Sequence, residues 1–335
     1  MLVCGVVGVL QLGLLAGFAQ TNKYLYTGSQ TIVTLNAGTY DITAYGAQGG
    51  NGAVNSQGVT TKGGLGAKMT GRFSFATTVN LTLLVGGAGG RETFTYSGGG
   101  GGGSFVVSGS IPLVVAGGGG GAYLNQGGNY GKVSTAGGGS GGGNGGSGGG
   151  ASGGGIGGGG GGFSGDGASA SGAGVGGSSF LNGGVGASPL GAGRGGYGGG
   201  GSGSSGAGGG GGYSGGGGGS GSNGGGGGSI IDSSAIAILA TDSGIASPDG
   251  SPNGEIIITT VPKPPVLASA STAGGNFSFN IIGPTNANIV IEVCTNLANP
   301  VWIPVTTNVL INGTSYFSDA QWTNYPYGFY RARKP

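Results

Sequence analysis

The feature that most limits what this chain can fold into is a glycine tract between residues 137 and 228. Glycine fills 55 of these 92 positions, and serine is its main companion. Because glycine has no side chain to bury, the tract cannot build a conventional hydrophobic core. Over the whole chain, glycine occurs four or more times in succession in seven runs. These runs are 98–103, 117–121, 157–162, 198–201, 208–212, 215–219 and 224–228.

Two structures are compatible with such a tract. One is a flexible linker, which is the usual state of chains rich in glycine and serine without a strict repeat. The other is a bundle of polyglycine helices in the polyproline II conformation, whose N–H and C=O groups bond to neighbouring helices. An interior helix would then need glycine at every position. Valine at Gly159 or Gly217 should therefore disrupt the bundle, whereas valine at the interruption Ser202 should be mild.

Strand patterns lie on both sides of the tract, where apolar and polar residues alternate. The segments concerned are 31–35, 40–45, 79–85, 104–107, 112–115 and 254–261. Asn36-Ala37-Gly38 predicts a tight hairpin between the first two strands, and Ser108-Gly109-Ser110 predicts another. Hydrogen bonds alone return less free energy than ordering glycine costs, so a bundle needs a β framework that clamps both of its ends. We predict such a glycine-rich domain over residues 20–261.

The remainder of the chain predicts a separate module. Residues 262–265 read Pro-Lys-Pro-Pro, which is typical of a stiff linker. Residues 266–335 carry several further strand patterns and predict a small β-sandwich-like module. Since a module of this size has a limited core, Trp302 and Trp322 are expected to supply much of it.

Residues 1–19 predict a secretory signal peptide. The run is apolar or small apart from Gln11 and ends in Gly17-Phe18-Ala19, a small-x-small cleavage pattern. It is short for a membrane span, and we expect none after cleavage. Cys4 lies within this run, so cleavage would leave Cys294 without a partner for an internal disulfide. We expect Cys294 to be a buried, inert thiol.

The composition argues against most catalytic chemistry. The chain has no histidine, which removes Ser-His-Asp and Cys-His catalysis and the HExxH zinc site. Its nine acids are thinly spread, and Asp242, Asp249 and Glu255 are expected to be solvated. A net charge of +2 gives no strong attraction for nucleic acid and predicts binding that depends weakly on salt. We predict no catalytic residue, no metal, no cofactor and no nucleic-acid partner.

Several ordered motifs of the chain resemble a known domain. They lie at 37–50, 81–86, 98–107, 112–122 and 195–215. Together they resemble the extracellular glycine-rich domain of the anaplastic lymphoma kinase and leukocyte tyrosine kinase receptors, over about Tyr24 to Val261. The resemblance implies a tumour-necrosis-factor-like, antiparallel jelly-roll framework carrying inserted polyglycine helices, and binding of protein ligands outside the cell. The cysteines of that domain and the kinase are missing from this sequence, so receptor signalling does not transfer.

The C-terminal module resembles a second group of proteins. The stretches 289–297, 302–305 and 328–333 are similar to a short β module that closes many secreted proteins of environmental bacteria. This resemblance covers residues 266–335. It implies export and no particular activity.

Side chains that interrupt the glycine runs are the candidates for binding a partner, because the glycine surface offers only backbone and methylene groups. The candidates are Tyr123, Leu124, Tyr130, Phe180, Leu181, Pro189, Leu190 and Tyr197. Alternatively, such residues close the ends of the bundle or pack on the β framework. We expect an exported, non-enzymatic recognition or adhesion protein, secreted or at the cell surface, with a protein or glycan partner. The alternatives are a purely structural matrix or surface-coat component and, as a third reading, an ice-binding protein.

Overall fold

The computed structural model describes residues 6–9, 19–53, 60–91, 96–151, 157–170, 174–189, 192–324 and 327–335. Strands make up 37% of the structure and helices 3%, so the fold is mainly β. The chain divides into two compact units. One comprises Thr21–Thr259, and the other comprises Thr260–Pro335 together with the N-terminal residues up to Gln20. Within the described ranges, no helix is long and apolar enough to cross a membrane.

Strands provide nearly all the regular structure of the described residues. In chain order they are β1 Val6–Val9, β2 Thr21–Leu25, β3 Gln30–Leu35, β4 Gly38–Tyr45, β5 Ala67–Phe75, β6 Val79–Leu84, β7 Ser104–Ser108, β8 Ile111–Ala116, β9 Ile230–Ile231, β10 Ala237–Ser243, β11 Glu255–Val261, β12 Val266–Ser271, β13 Phe277–Ile282, β14 Asn288–Cys294, β15 Ile303–Val309, β16 Thr314–Asp319 and β17 Tyr327–Arg333. Short 3-10 helices occur at Phe180–Asn182, Ala273–Gly275 and Trp322–Asn324.

The larger unit is built on two five-stranded sheets. Their strand orders are β10-β5-β4-β11-β2 and β3-β6-β7-β8-β9. Alternate residues of both sheets meet in one core, including Ile42 and Phe73 from the first sheet and Leu81 and Val106 from the second. The predicted mainly β, antiparallel architecture of sandwich or jelly-roll type is confirmed at this level.

The connection between β3 and β4 is not a hairpin, and the prediction at Asn36-Ala37-Gly38 is wrong. β3 pairs with β6, whereas β4 pairs with β5 in the other sheet. The short loop is a corner between the sheets, fastened by the Tyr40 hydroxyl, which donates to the Asn36 carbonyl at 2.9 Å. The hairpin predicted around Gly109 is confirmed: Ser108 pairs with Ile111, and Gly109 has a φ of 58°.

The sheet β3-β6-β7-β8-β9 is apolar on both faces. Leu83 and Val106 face the core, and their chain neighbours Leu84 and Phe105 face the opposite way. Aromatic residues of the glycine tract cover this second face. Phe180 stacks between two rings, with its centroid 5.1 Å from that of Phe105 and 5.5 Å from that of Phe163. The glycine tract is therefore anchored to the sheet by an aromatic cluster.

Several strands continue directly into glycine-rich stretches. Residues 46–50 follow β4, residues 63–66 lead into β5, and residues 86–90 follow β6. The runs 98–103 and 117–121 likewise adjoin β7 and β8. These stretches and the other glycine runs are called the glycine segments below. The two sheets thus supply the chain ends that hold the segments in register.

The glycine segments bond to one another through their backbones. Gly210 is typical: its N–H donates to the Gly225 carbonyl, and its own carbonyl accepts from Gly216, each at 2.8 Å. A Cβ atom on Gly210 would overlap the Gly118 carbonyl oxygen, which belongs to a third segment. Three neighbours therefore surround one residue. The segments carry no assigned helix, so the predicted polyglycine helices are not among the regular elements of the described chain.

The structure supports the expected disruption by valine at Gly159 and Gly217 but not the mild effect expected at Ser202. Cβ atoms on Gly159 and Gly217 would overlap the carbonyl oxygens of Gly149 and Ser140. Ser202, in contrast to its expected role as a tolerant interruption, is fully buried, and its hydroxyl accepts from the Val175 N–H at 2.7 Å. Valine at Ser202 would remove the hydroxyl that accepts from this N–H and would place a larger side chain in a fully buried position.

The smaller unit contains a four-stranded sheet, β1-β17-β14-β15, and a three-stranded sheet, β12-β13-β16. Of the predicted signal peptide, only Val6–Val9 and Ala19 are described, and Val6–Val9 pair in parallel with β17. The core is aromatic, with Phe277, Phe279, Phe317 and Tyr330 in mutual contact.

The tryptophans contribute less to this core than the sequence predicts. Trp322 is partly buried at its margin, and Trp302 stacks on the Arg331 guanidinium at 4.2 Å instead. Cys294 is buried as expected, and its thiol donates to the Asn296 carbonyl at 3.3 Å.

A buried carboxylate links two strands of the smaller unit. Glu292 of β14 accepts from Arg331 at 2.7 Å and from Arg333 at 2.6 Å, both on β17. Burial raises the pKa of Glu292, but the two arginine bonds outweigh it and hold the pKa below its ordinary value of 4.5. The ion pairs therefore stabilise the folded unit most when the carboxylate is charged.

The stability of β14 and β17 is expected to fall in acid. A lowered folded pKa gives a contribution that is complete above about pH 4.5 and is lost as the pH falls through the folded pKa. At pH 7, Glu292→Gln should cost about 2 kcal/mol, less than in a fully buried pair because both arginines are partly exposed. Hydrogen exchange of β14 amides measures this effect. Asp249→Asn, in the other unit, is the control, and equal exchange of Glu292→Gln and the parent at pH 7 would contradict the prediction.

Candidate functional site

A rigid turn presents two of the predicted binding residues. Tyr123 and Gln126 exchange two backbone bonds. The Tyr123 N–H donates to the Gln126 carbonyl at 3.0 Å, and the Gln126 N–H donates to the Tyr123 carbonyl at 2.8 Å. The turn follows the run 117–121, at the end away from β8. Leu124 is 40% exposed although it is apolar. It also has a φ of 48°, a conformation that costs a non-glycine residue free energy. The loop therefore holds an exposed leucine in a strained, fixed position.

A neighbouring loop braces the turn. The Leu124 N–H donates to the Tyr96 carbonyl at 2.9 Å, and Ser97 pairs with Tyr123 as an antiparallel bridge. Ser97 is buried, and its hydroxyl donates to the Ser204 carbonyl. Tyr96 itself is 62% exposed. Two exposed side chains, Tyr96 and Leu124, thus flank the half-buried Tyr123 on one surface.

Three exposed cations adjoin this surface. The Gly128 N–H donates to the Lys62 carbonyl at 3.1 Å, which places Lys62 beside the turn. Arg91 pairs with Gly98, next to Ser97, and the Gly90 N–H donates to the Arg194 carbonyl at 2.7 Å. We call Tyr96, Tyr123 and Leu124, with Lys62, Arg91 and Arg194, the tip surface. It combines an apolar and aromatic centre with basic residues from separate loops.

The remaining predicted residues do not join the tip surface. Phe180 is 7% exposed and lies in the aromatic cluster on the sheet, where Tyr197 is also partly buried. Burial raises the pKa of Tyr197, and neighbouring Tyr26 adds to the effect. The placement of Phe180 and Tyr197 favours the alternative given in the sequence analysis, in which such residues pack on the β framework.

Leu181 and Tyr130 are exposed, but at other places. Leu181 is 57% exposed in the 3-10 helix after Phe180, and its N–H donates to the Phe163 carbonyl at 3.1 Å. Tyr130 is 54% exposed and lies against Gly244. Pro189 is partly buried, and Leu190 lies outside the described residues. These candidates therefore do not form one surface.

Sequence reasoning missed most of the tip surface. Tyr96 precedes a glycine run as Tyr123 follows one, so the same rule could have found it. The cations carry no such signal, because their proximity depends on how the segments pack. Glu255 was also misjudged as solvated: it is fully buried, with Lys23 Nζ 3.5 Å from Oε1 and Ser247 Oγ 3.5 Å from Oε2.

Other sites offer less for chemistry. A cleft of about 160 Å³ lies between the loop 245–253 and residues 46–48 and 65–66, with Gln48, Ser251 and Asn253 among its lining residues. Gln48 and Asn253 already bond to other parts of the protein, Gln48 to the Gly63 carbonyl and Asn253 to the Ala88 N–H. Over the part of the chain that the structure describes, no cluster of three or more His, Cys, Asp or Glu residues could hold a metal.

The strain at Leu124 leads to a test by substitution. Leu124→Gly should be more stable than Leu124→Ala by about 1 kcal/mol, because glycine adopts positive φ at little cost. Both variants remove the exposed side chain, so they differ in the backbone strain and in the greater freedom that glycine gives the unfolded chain, and we expect the strain to be the larger effect. Chemical denaturation of the two proteins measures the difference. Equal stability would show that the strain at this position is no larger than the entropic cost of glycine, and would contradict the prediction.

Comparisons with known proteins add no assignment. No protein-family model matches the chain, and no curated protein is significantly similar to it.

Proposed function

We propose that this is an exported, non-enzymatic recognition or adhesion protein that binds a partner through the tip surface. The observation that carries the proposal is the braced turn at Tyr123–Gln126, which holds Leu124 exposed with a φ of 48°. Backbone strain is retained where surrounding structure enforces it, and such positions cluster at binding sites. A preorganised anchor also reduces the entropy lost on binding.

We further propose that the glycine segments form a polyglycine helix bundle on a jelly-roll framework of the kind found in the glycine-rich receptor domains. The bonding of Gly210 to two segments and its close approach to a third support this arrangement. Six of the seven glycine runs, all except 198–201, contain no glycine with positive φ. Amides of 157–162 and 208–228 that exchange at random-coil rates would refute the bundle and leave a flexible linker.

Export is proposed from the sequence. The apolar residues 1–19 with their small-x-small ending, the low charge and the similarity of 266–335 to modules of secreted proteins support it. Fractionation of the producing cells tests this part. A protein that stays in the cytoplasm would overturn it, as would an activity in a hydrolase screen that one Asp or Glu substitution abolishes.

The recognition role is tested by binding to intact cells and to glycan and cell-surface panels at micromolar protein. Leu124→Gly should keep the fold and lose binding, whereas Ile32→Ala, at an exposed apolar position on edge strand β3, should keep both. A folded protein that binds nothing on these panels would favour the alternative of a structural matrix or surface-coat component. Thermal hysteresis would be required for ice binding.

A further inference from the structure

Six of the seven cations of the larger unit, all except Lys132, fall into two groups. Lys23, Lys68 and Arg72 form ion pairs with Glu255, Asp242 and Asp41. The cations of the tip surface behave differently: Lys62, Arg91 and Arg194 are exposed, and none has a carboxylate of the described residues within ion-pair distance.

These unpaired charges converge although the sequence separates them. Arg91 follows Gly90 in the chain, and Arg194 of a separate segment contacts Gly90, whose would-be Cβ is 3.5 Å from the Arg194 Cβ. Lys62 reaches the same end of the segments through its bond with Gly128. A chain with a net charge of only +2 thus places three positive charges, none of them ion-paired to a carboxylate of the described residues, around one aromatic surface.

We propose that the tip surface binds a carboxylated polysaccharide, an inference that rests on the recognition function proposed above. Cations on three separate loops suit a polymer with repeated anionic groups better than a single small anion. Arginine forks match the geometry of carboxylates. The rings of Tyr96 and Tyr123 offer apolar faces with hydroxyl groups, and the exposed amides of Asn125 and Gln126 suit the hydroxyls of a sugar.

An acidic protein partner fits these residues less well. The fully buried centre of a protein interface is apolar and depleted of charge. Here Leu124 is the one exposed aliphatic side chain among the residues that define the surface, and the others are phenolic or cationic. The clustering also changes the expected salt dependence. Binding to a polyanion through three exposed cations is screened by salt, so the weak dependence inferred from the net charge does not apply at this surface.

The experiment uses the full chain and two polymers, polygalacturonate and neutral dextran, at 0.05 M and 0.5 M NaCl. The variant K62Q/R91Q/R194Q removes the three charges of the tip surface. The control K132Q/K263Q/K334Q removes the same total charge elsewhere. We expect the control to bind polygalacturonate like the parent, the first variant to bind about tenfold more weakly, and high salt to weaken the parent by a similar factor.

The inference would be overturned by equal binding to dextran, by equal loss in both triple variants, by preferential competition by polyphosphate or single-stranded RNA, or by no binding to polygalacturonate. Failure here is separable from failure of the recognition function. If the parent binds cells and Leu124→Gly abolishes that binding, but neither protein binds polygalacturonate, the recognition function stands and the polysaccharide inference falls.

Discussion

Alanine at Gly159 is expected to lower the thermal midpoint of the larger unit by roughly 6–12 °C, which corresponds to about 3 kcal/mol in a domain of this size. The added Cβ would overlap the Gly149 carbonyl oxygen. Gly149 is held by backbone bonds: its N–H donates to the Gly160 carbonyl, and its carbonyl accepts from the Ala168 N–H. No side chain can rotate away to make room, so the segments themselves must separate. Gly217→Ala meets the Ser140 carbonyl in the same way.

Gly127→Ala is the matched control for these variants. Gly127 is exposed, has no positive φ, and its would-be Cβ is 3.5 Å from the nearest atom, the Lys62 carbonyl oxygen. Because alanine restricts the unfolded chain, this change should leave stability unaltered or raise it by about 0.4–1 kcal/mol. Differential scanning calorimetry should show a lowered midpoint for Gly159→Ala and an unchanged or raised midpoint for Gly127→Ala. Equal midpoints for Gly159→Ala and Gly127→Ala would refute close packing of the segments.

Phe180→Ala is expected to produce the second large effect, a loss of about 3–5 kcal/mol. Its ring lies between Phe105 of the sheet and Phe163 of the glycine tract, so truncation opens a cavity where the two parts join. Leu181→Ala, one residue further on but 57% exposed, should change stability by less than about 0.5 kcal/mol. We expect Phe180→Ala to speed hydrogen exchange of the 157–162 amides more than exchange of the β6 amides.

The same pair of variants distinguishes packing from binding. If Phe180→Ala leaves stability unchanged and instead abolishes binding to cells, the aromatic cluster is a recognition site and the assignment to packing is wrong. Loss of stability with binding retained at low temperature is the outcome that the burial of Phe180 supports.

The strands were predictable because their signal is local. Alternation over 79–85 gives β6, and the short apolar runs at 104–107 and 112–115 give β7 and β8. Which strands pair with each other was harder to predict from the sequence. The composition of Asn36-Ala37-Gly38 indicates a reversal of the chain, but it does not reveal that β3 and β4 belong to different sheets.

The candidate site was only partly predictable for the same reason. Leu124 and Tyr123 were found because they follow a glycine run, but the bond that braces Leu124 comes from Tyr96, 28 residues earlier, and neither this bond nor the positive φ has a local sequence signal. The burial of Glu255 and the margin position of Trp322 are also properties of the packed fold. Residue type alone predicts that Glu255 is exposed to solvent and that Trp322 lies in the core.

The backbone-only contacts between glycine segments also determine how stability should vary with temperature. Unfolding them exposes mostly peptide groups, and hydration of polar surface lowers the heat capacity whereas apolar surface raises it. The heat-capacity change per residue of the larger unit should therefore be below the usual value of about 12–15 cal/mol/K. A small heat-capacity change flattens the stability curve, so this unit should lose less stability on cooling than a domain of equal length held together by an apolar core.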